Sequence, residues 1–506
     1  MSARSMRPRY IFCIVIDAMR NYYTDQDERG RQPVLDIQNP IHYTSIGGLV
    51  VTAPSSLMSA VTMISGKPAY GQYQDYLNVD FQKSPEPLVT EYAQAQGWET
   101  IGLFSAREMR NKLRGQFNPI KKENIIDYEK FGKERWSNEF LTNQAIAEIK
   151  DSLSNQKNKF YMIWYNSRED LNTSKHVEKL LDYLQTLNIY NSALITITGD
   201  HGYPDLSRGL TSDGPDLKKA GLRHDLIMTD DNIVVPLVFK YPNFSSSKYK
   251  TQTLDQSILP DIYSSYIKGH NADKLEDILV SKKLSDSNIS LSDSRFFLQN
   301  NRVTSVRSQS HKLIIDHSKG EIKCFDLKSD PGETNPIKYL ENKNNVYNNM
   351  LDHYNNYEMA LTEEWIERTR AMFSESLKRD KAMNDKFSRH TSIYIEGTIT
   401  NTHKQILEKM FKRLGHRINS KEGSLKLVLI DDIRSRNSVK EVMKYLTEDY
   451  LLMDSVFNRY TKTNLLASNL YKRFRESYQR LMWRTALMNR KRDVFREWIK
   501  LIGIKR

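Results

Sequence analysis

Two short apolar runs in this chain each stop abruptly at an acid, and they constrain its fold more than any other feature. Tyr10-Ile-Phe-Cys-Ile-Val-Ile16 runs straight into Asp17, and Ala193-Leu-Ile-Thr-Ile-Thr198 runs into Gly199-Asp-His-Gly202. Continuous β-branched runs of this length fit strands covered on both faces of a parallel sheet, because half-exposed strands would alternate. Residues 234–239 form a third such run. Between these runs, residues 139–153 and 176–187 read as helices, so strand and helix alternate as in an open α/β sheet. Ligands of such sheets bind beyond the carboxyl ends of the strands, which is where Asp17, Asp200 and His201 fall.

The Tyr10 run follows Arg4, Arg7 and Arg9 and superficially resembles a secretory leader. It ends at Asp17 with no small-residue cleavage site, and it is far shorter than the roughly 20 residues that a membrane span requires. No export is therefore expected, and a cytoplasmic location follows. Cys13 and Cys324 are the only cysteines, so neither a disulfide framework nor a CxxC metal pair is available. At 506 residues, with 39% hydrophobic and 27% charged residues, the chain is globular and has room for two to four domains.

The expected organisation begins with a catalytic α/β domain over 8–300. Short alternating strands over 301–340, ending at the Asp330-Pro-Gly332 turn, predict a small antiparallel subdomain. Residues 341–390 read as a charged helical connector. Apolar strands at 392–395, 425–430 and 450–453, with helices between them, predict a second small α/β unit over 391–454. A basic amphipathic helical tail completes the chain over 455–506.

Thr52-Ala-Pro-Ser-Ser56 sets a hydroxyl before Pro54 and a regular apolar helical face. A helix start presents unpaired N–H groups and a positive dipole end to an anion, which suits both a nucleophile and a bound phosphate or sulfate. On its own, the same pattern equally describes a capped surface helix. Gly199-Asp-His-Gly202 places a carboxylate beside an imidazole at a strand end, a donor set for Zn²⁺, Mn²⁺ or Mg²⁺; Ca²⁺ fits less well. Alone, it also reads as an Asp-Gly type turn.

Together these blocks resemble the alkaline-phosphatase/sulfatase superfamily over roughly residues 8–340. Thr52-Ala-Pro-Ser, followed by Ser65-Gly-Lys-Pro68, is similar to the sulfatase signature, in which a nucleophile precedes x-Pro-Ser and, about ten residues on, a Thr/Ser-Gly-Arg/Lys element. Asp17, Thr198-Gly-Asp-His-Gly202, His224 with residues 230–239, Asp255-Gln-Ser-Ile, His311-Lys-Leu-Ile and Asp330-Pro-Gly-Glu333 follow in the family's order. The resemblance implies an alkaline-phosphatase-like open sheet flanked by helices. It also implies Thr52 as nucleophile, His224 as the group supporting the leaving group, and Asp17, Thr52, Asp200 and His201 as ligands of one divalent ion.

Departures from the pattern bear on the chemistry. A threonine at the nucleophile position closes the route to formylglycine, Ser56 stands where the family has arginine, and Ala18 replaces a second aspartate. The chain is thus more similar to the single-metal phosphoethanolamine and phosphoglycerol transferases, which predicts a phosphoester hydrolase or phospho-group transferase. Alternatives are a sulfatase or phosphonate monoesterase of relaxed specificity, and a degenerate member that only binds an anionic glycan. A second metal needs ligands before Gly199, where Trp164 to His176 aligns poorly, so one ion is expected.

Net charge is +13, and residues 455–506 hold 14 lysines and arginines against Glu476, Asp493 and Glu497, a balance of +11. Phe474, Tyr478, Trp483 and Trp498 interleave with these cations at helical spacing. A helix packed on the body with a solvated basic face fits this composition. So does an interfacial helix drawn to anionic lipid, which suits an enzyme handling a lipid-linked or polysaccharide-linked anionic ester. Nucleic acid is a less favoured partner for the same segment.

Overall fold

In the computed structural model of the chain, the run from Tyr10 forms β1 (Tyr10–Asp17), whose first seven residues are buried. The structure describes residues 9–19, 44–67, 88–105, 137–155, 157–166, 173–203, 227–242, 253–285, 287–294, 303–317, 320–339, 345–379, 388, 392–397, 401–418, 425–430 and 450–454. The chain divides into two units, Met1–Asn356 and Tyr357–Arg506.

In the first unit β1 is joined by β2 (Thr44–Val50), β3 (Glu99–Phe104), β4 (Lys159–Asn166), β5 (Leu194–Gly199), β6 (Val234–Lys240) and β7 (Thr253–Asp255). The resulting seven-stranded sheet has the order β3-β4-β1-β5-β6-β2-β7. β1 pairs in parallel with β4 and β5, as β3 does with β4 and β2 with β7, whereas β6 runs antiparallel to both β5 and β2. The expected open, mostly parallel sheet is present. The direction of β6 differs from the parallel reading, because an apolar run carries no direction of its own. Its amino end, not its carboxyl end, therefore faces the site edge.

The helices of this unit are α1 (Ser56–Ser65), α2 (Val89–Ala95), α3 (Asn138–Ser152), α4 (Thr173–Thr186), α5 (Asp230–Ile233), α6 (Ile258–Ile267) and α7 (Ala272–Ser281). Leu141, Ala145 and Ile149 of α3 and Val177, Leu180, Leu181 and Leu184 of α4 recur every three or four residues. They pack with Phe12, Ile14, Ile16, Tyr161 and Ile163 into one buried cluster. Each buried Val, Leu, Ile or Phe side chain in it contributes about 1.5–3 kcal/mol relative to exposure. The rigid centre of the sheet thus carries the strand ends that matter below.

A five-stranded antiparallel sheet follows in the order β12-β11-β10-β9-β8. Its strands are β8 (Ser290–Asp293), β9 (Val303–Arg307), β10 (His311–Asp316), β11 (Glu321–Asp326) and β12 (Ile337–Lys338). It starts upstream of residue 301, because the Ser290–Asp293 segment pairs with β9. α8 then spans Asn345–Arg379.

The second unit holds β13 (Ser392–Gly397), α9 (Asn401–Arg413), β14 (Arg417–Ile418), β15 (Leu425–Ile430) and β16 (Tyr450–Asp454). Its four strands are parallel, in the order β14-β13-β15-β16. Ile393, Ile395, Ile406, Leu407, Met410 and Phe411 are buried there. The basic tail, 455–506, lies outside the described residues. Among the described residues, no helix is long and apolar enough to cross a membrane.

Candidate active site and metal centre

The register of β1 against β5 builds the site. Ile16 stands opposite Gly199, so Asp17 and Asp200, the next residues on each strand, emerge side by side at the same sheet edge. Adjacent strands lie roughly 4.8 Å apart. His201 follows immediately, and one donor atom from each of Asp17, Asp200 and His201 lies within 4.8 Å of the other two. Asp200 and His201 are fully buried, while the Asp17 side chain is 19% exposed and opens the site outward.

Asp200 is held by backbone on one oxygen and left bare on the other. Its Oδ1 accepts the Ala18 and His201 N–H groups, both at 2.8 Å. Ala18 reaches this position with φ of 58°, a left-handed conformation uncommon for alanine. Asp200 Oδ2 is buried with no hydrogen-bond partner, 3.6 Å from His201 Nε2. Burial pushes the carboxyl up to about 6; the Asp17 carboxylate adds to the rise, and His201 and the Ala18 N–H hold it back.

His201 Nδ1 lies 2.6 Å from the Gly202 carbonyl oxygen. A carbonyl can only accept, so Nδ1 carries a proton, and Nε2 lies 3.7 Å from Asp17 Oδ1. Metal-ligating histidines are oriented in this way, with the distal N–H given to a backbone or carboxylate oxygen. Gly202 makes the turn possible: a Cβ there would sit 2.0 Å from the Asp231 carbonyl oxygen, and its N–H donates to Asn232 O at 2.7 Å.

The hydroxyl at this cluster belongs to Ser56. Its Oγ donates to Asp17 Oδ1 at 3.2 Å and lies 3.3 Å from His201 Nε2. Ser56 is the first residue of α1, after Ser55 in extended conformation, so it stands at the positive end of a ten-residue helix. Thr52, the expected nucleophile and ligand, is elsewhere: it is buried, and its Oγ1 lies 2.6 Å from Thr62 Oγ1 inside the helix packing. The structure thus brings together Asp17, Asp200 and His201 but not the Thr52 hydroxyl. Ser56, read in the sequence only as standing where the family has arginine, is the hydroxyl set beside these side chains.

Three oxygen donors and one imidazole nitrogen, with a buried carboxylate oxygen that has no hydrogen-bond partner, fit a divalent cation. Among the described residues this is the one group of three or more His, Cys, Asp or Glu with ligand spacing. His176 stands on α4 and is not part of it. His224 lies outside the described residues.

The fold and site together define an α/β protein with a candidate metal centre at the carboxyl edge of its main sheet. No family model matches the chain, and no curated protein is similar to it in sequence. Among solved structures it is similar to a putative sulfatase from Bacteroides fragilis, at 12% identity over 73% of this chain and 97% of that one, with a TM-score of 0.48. A lipoteichoic acid synthase from Listeria monocytogenes is similar at 12% identity, 69% and 92% coverage and a TM-score of 0.45. An alkaline phosphatase superfamily protein from Vibrio parahaemolyticus is similar at 10% identity, 68% and 84% coverage and a TM-score of 0.47.

Proposed function

We propose that this chain is a metal-dependent phosphoester hydrolase or phospho-group transferase of the sulfatase-like alkaline phosphatase superfamily. The observation that carries the reading is the Ser56 hydroxyl, within hydrogen-bond reach of both Asp17 and His201 at the start of a helix. Asp17, Asp200 and His201 would hold one divalent ion, Zn²⁺, Mn²⁺ or Mg²⁺, with the hydroxyl oxygen beside them. A bound ion there would lower the pKa of the hydroxyl and polarise a phosphoryl oxygen.

The chain's own residues do the rest. Ser56 donates to Asp17 Oδ1, so its proton has a route away onto that carboxylate as the oxygen attacks, while His201 Nε2 would be taken up by the ion. The first N–H groups of α1, the helix that Ser56 opens, would oppose the growing negative charge on phosphate. Attack forms a phosphoserine and releases the alcohol. Water or a second hydroxyl then attacks phosphorus, frees Ser56 and leaves phosphate or a new ester. Phosphoryl rather than sulfuryl transfer is favoured because an unmodified serine ester of phosphate can still be attacked at phosphorus. His224 is our candidate for protonating the leaving group.

The substrate we infer is an anionic ester, lipid-linked or polysaccharide-linked, with the basic 455–506 segment holding the protein against an anionic membrane. The test is turnover of phosphate monoesters, diesters and sulfates by metal-supplemented protein, with acid quenching and peptide mass analysis. A phosphate on the peptide containing Ser56, absent in Ser56→Ala, is expected. A phosphate on Thr52 instead, or full turnover by Ser56→Ala, would overturn the Ser56 assignment.

A further inference from the structure

We propose that Lys312 and Glu333, outside the main sheet, are positioning residues for the metal loop: they fix Asp230 and, through α5, the Gly202–His201 turn. This rests on the reading of Asp17, Asp200 and His201 as metal ligands. Lys312 projects from β10 with a wholly buried side chain, and its Nζ lies 2.8 Å from Asp230 Oδ1 and 2.6 Å from Glu333 Oε1. Arg307 on β9 grips the same carboxylate, with Nε at 3.0 and 3.1 Å and Nη2 at 2.8 Å. Glu333 Oε2 accepts the Asp230 N–H at 2.5 Å. Asp230 is thereby held at its side chain and at its backbone by three residues.

Asp230 opens α5, which at four residues is too short to be stable alone. The next two residues of that helix border the metal loop. Asn232 O accepts the Gly202 N–H at 2.7 Å, and the Asp231 carbonyl occupies the space a Gly202 Cβ would need. Gly202 O in turn accepts from His201 Nδ1, which aims Nε2 at the carboxylates. A continuous path of short polar contacts therefore runs from Lys312 and Glu333 to His201 Nε2.

Adhesion alone does not explain the cluster. Two buried carboxylates and two cations carry a desolvation penalty that apolar packing would avoid, whereas directed ion pairs specify position. Glu333 also has φ of 53°, an uncommon conformation for a residue with a Cβ, while only 2% of its side chain is exposed. The turn is bent to deliver this carboxylate.

The test compares wild type, Glu333→Gln, Lys312→Met and Lys312→Arg in the full chain. Amide hydrogen exchange of metal-free protein is read over residues 199–203 and over 10–17, and Mn²⁺ affinity by electron paramagnetic resonance titration. In Glu333→Gln and Lys312→Met, exchange over 199–203 is expected to accelerate and Mn²⁺ affinity to fall about tenfold, with β1 unchanged and Lys312→Arg close to wild type. Unchanged protection over 199–203, or an equal rise across β1, would overturn the proposal. If Lys312→Met does not fold, Glu333→Gln decides. Wild type that binds no Mn²⁺ refutes the metal reading instead, and the exchange data still decide the positioning path.

Discussion

Ser56 donates its hydroxyl proton to Asp17 Oδ1 across 3.2 Å, tying the start of α1 to the end of β1. Four residues earlier in the chain, Thr52 pairs with Thr62 instead. The two hydroxyls therefore have separable roles. Ser56→Ala is expected to lower turnover at least about a thousandfold with little change in melting temperature. Thr52→Val should keep turnover within a few-fold while costing about 1–3 kcal/mol, because Thr62 loses a buried partner. Parallel melting curves and single-turnover assays check both; an inactive, fully stable Thr52→Val would restore Thr52 as nucleophile.

That outcome bears on what the sequence could reveal. β1 and β5 were legible because buried parallel strands are uniformly apolar, and an acid ending such a run stands out; Asp17, Asp200 and His201 followed. Thr52 was read from the Pro-Ser pattern; that its hydroxyl meets Thr62 while the Ser56 hydroxyl meets Asp17 was not legible, because it depends on how the chain turns into α1. The reversed direction of β6 was illegible, since alternation and apolarity carry no polarity of chain. The convergence of Lys312 and Glu333 on Asp230 was equally hidden, because it depends on how two sheets meet.

The ligand set predicts a stoichiometry. About one Zn²⁺, Mn²⁺ or Mg²⁺ should bind per chain, because the described residues hold one suitable group. Asp200→Asn and His201→Ala should each abolish stoichiometric binding in elemental analysis after dialysis. Two ions per chain, or retention in both variants, would refute the assignment.

Gly202 offers a purely steric test. An alanine Cβ would meet the Asp231 carbonyl oxygen at 2.0 Å, and backbone atoms cannot swing aside as side chains do. Gly202→Ala should destabilise the protein by about 1–3 kcal/mol and weaken metal binding, since the turn that aims His201 must open. Denaturant titration with and without Mn²⁺ reads both effects; a neutral variant would mean the loop is looser than its contacts.

Residues 455–506 carry +11 of the chain's +13 charges, so electrostatics predicts their behaviour. Removing them should abolish flotation with phosphatidylserine vesicles, and wild-type flotation should fall as salt rises. Circular dichroism should show the remainder still folded. Binding that survives truncation would place the membrane contact elsewhere.

The last expectation concerns pH. Burial, together with the nearby Asp230 carboxylate, pushes Glu333 up to about 7 from an ordinary 4.5, although Lys312 pulls it down. A raised folded-state value means the folded protein keeps its proton while the unfolded chain releases it, so the stability Glu333 contributes is fully present below about 4.5 and is lost as pH rises towards 7. Asp230 works in the opposite sense. Burial opposes its charge, but Arg307 and Lys312 outweigh that and hold the carboxyl well below the usual range, so its contribution fades only in strong acid. Between about 4.5 and 7 Glu333 should therefore contribute a decline on the order of 3 kcal/mol, beside the decline from Asp200, whose carboxyl is also raised, to about 6. Glu333→Gln keeps an acceptor for the Asp230 N–H but cannot ionise. Its unfolding free energy should decline less than wild type between pH 4.5 and 7, and between pH 6 and 7, above the raised Asp200 value, the remaining decline should largely vanish, measured by urea titration at half-unit intervals. Identical slopes for the two proteins would show that Glu333 ionises as freely folded as unfolded, and that Lys312 alone neutralises it.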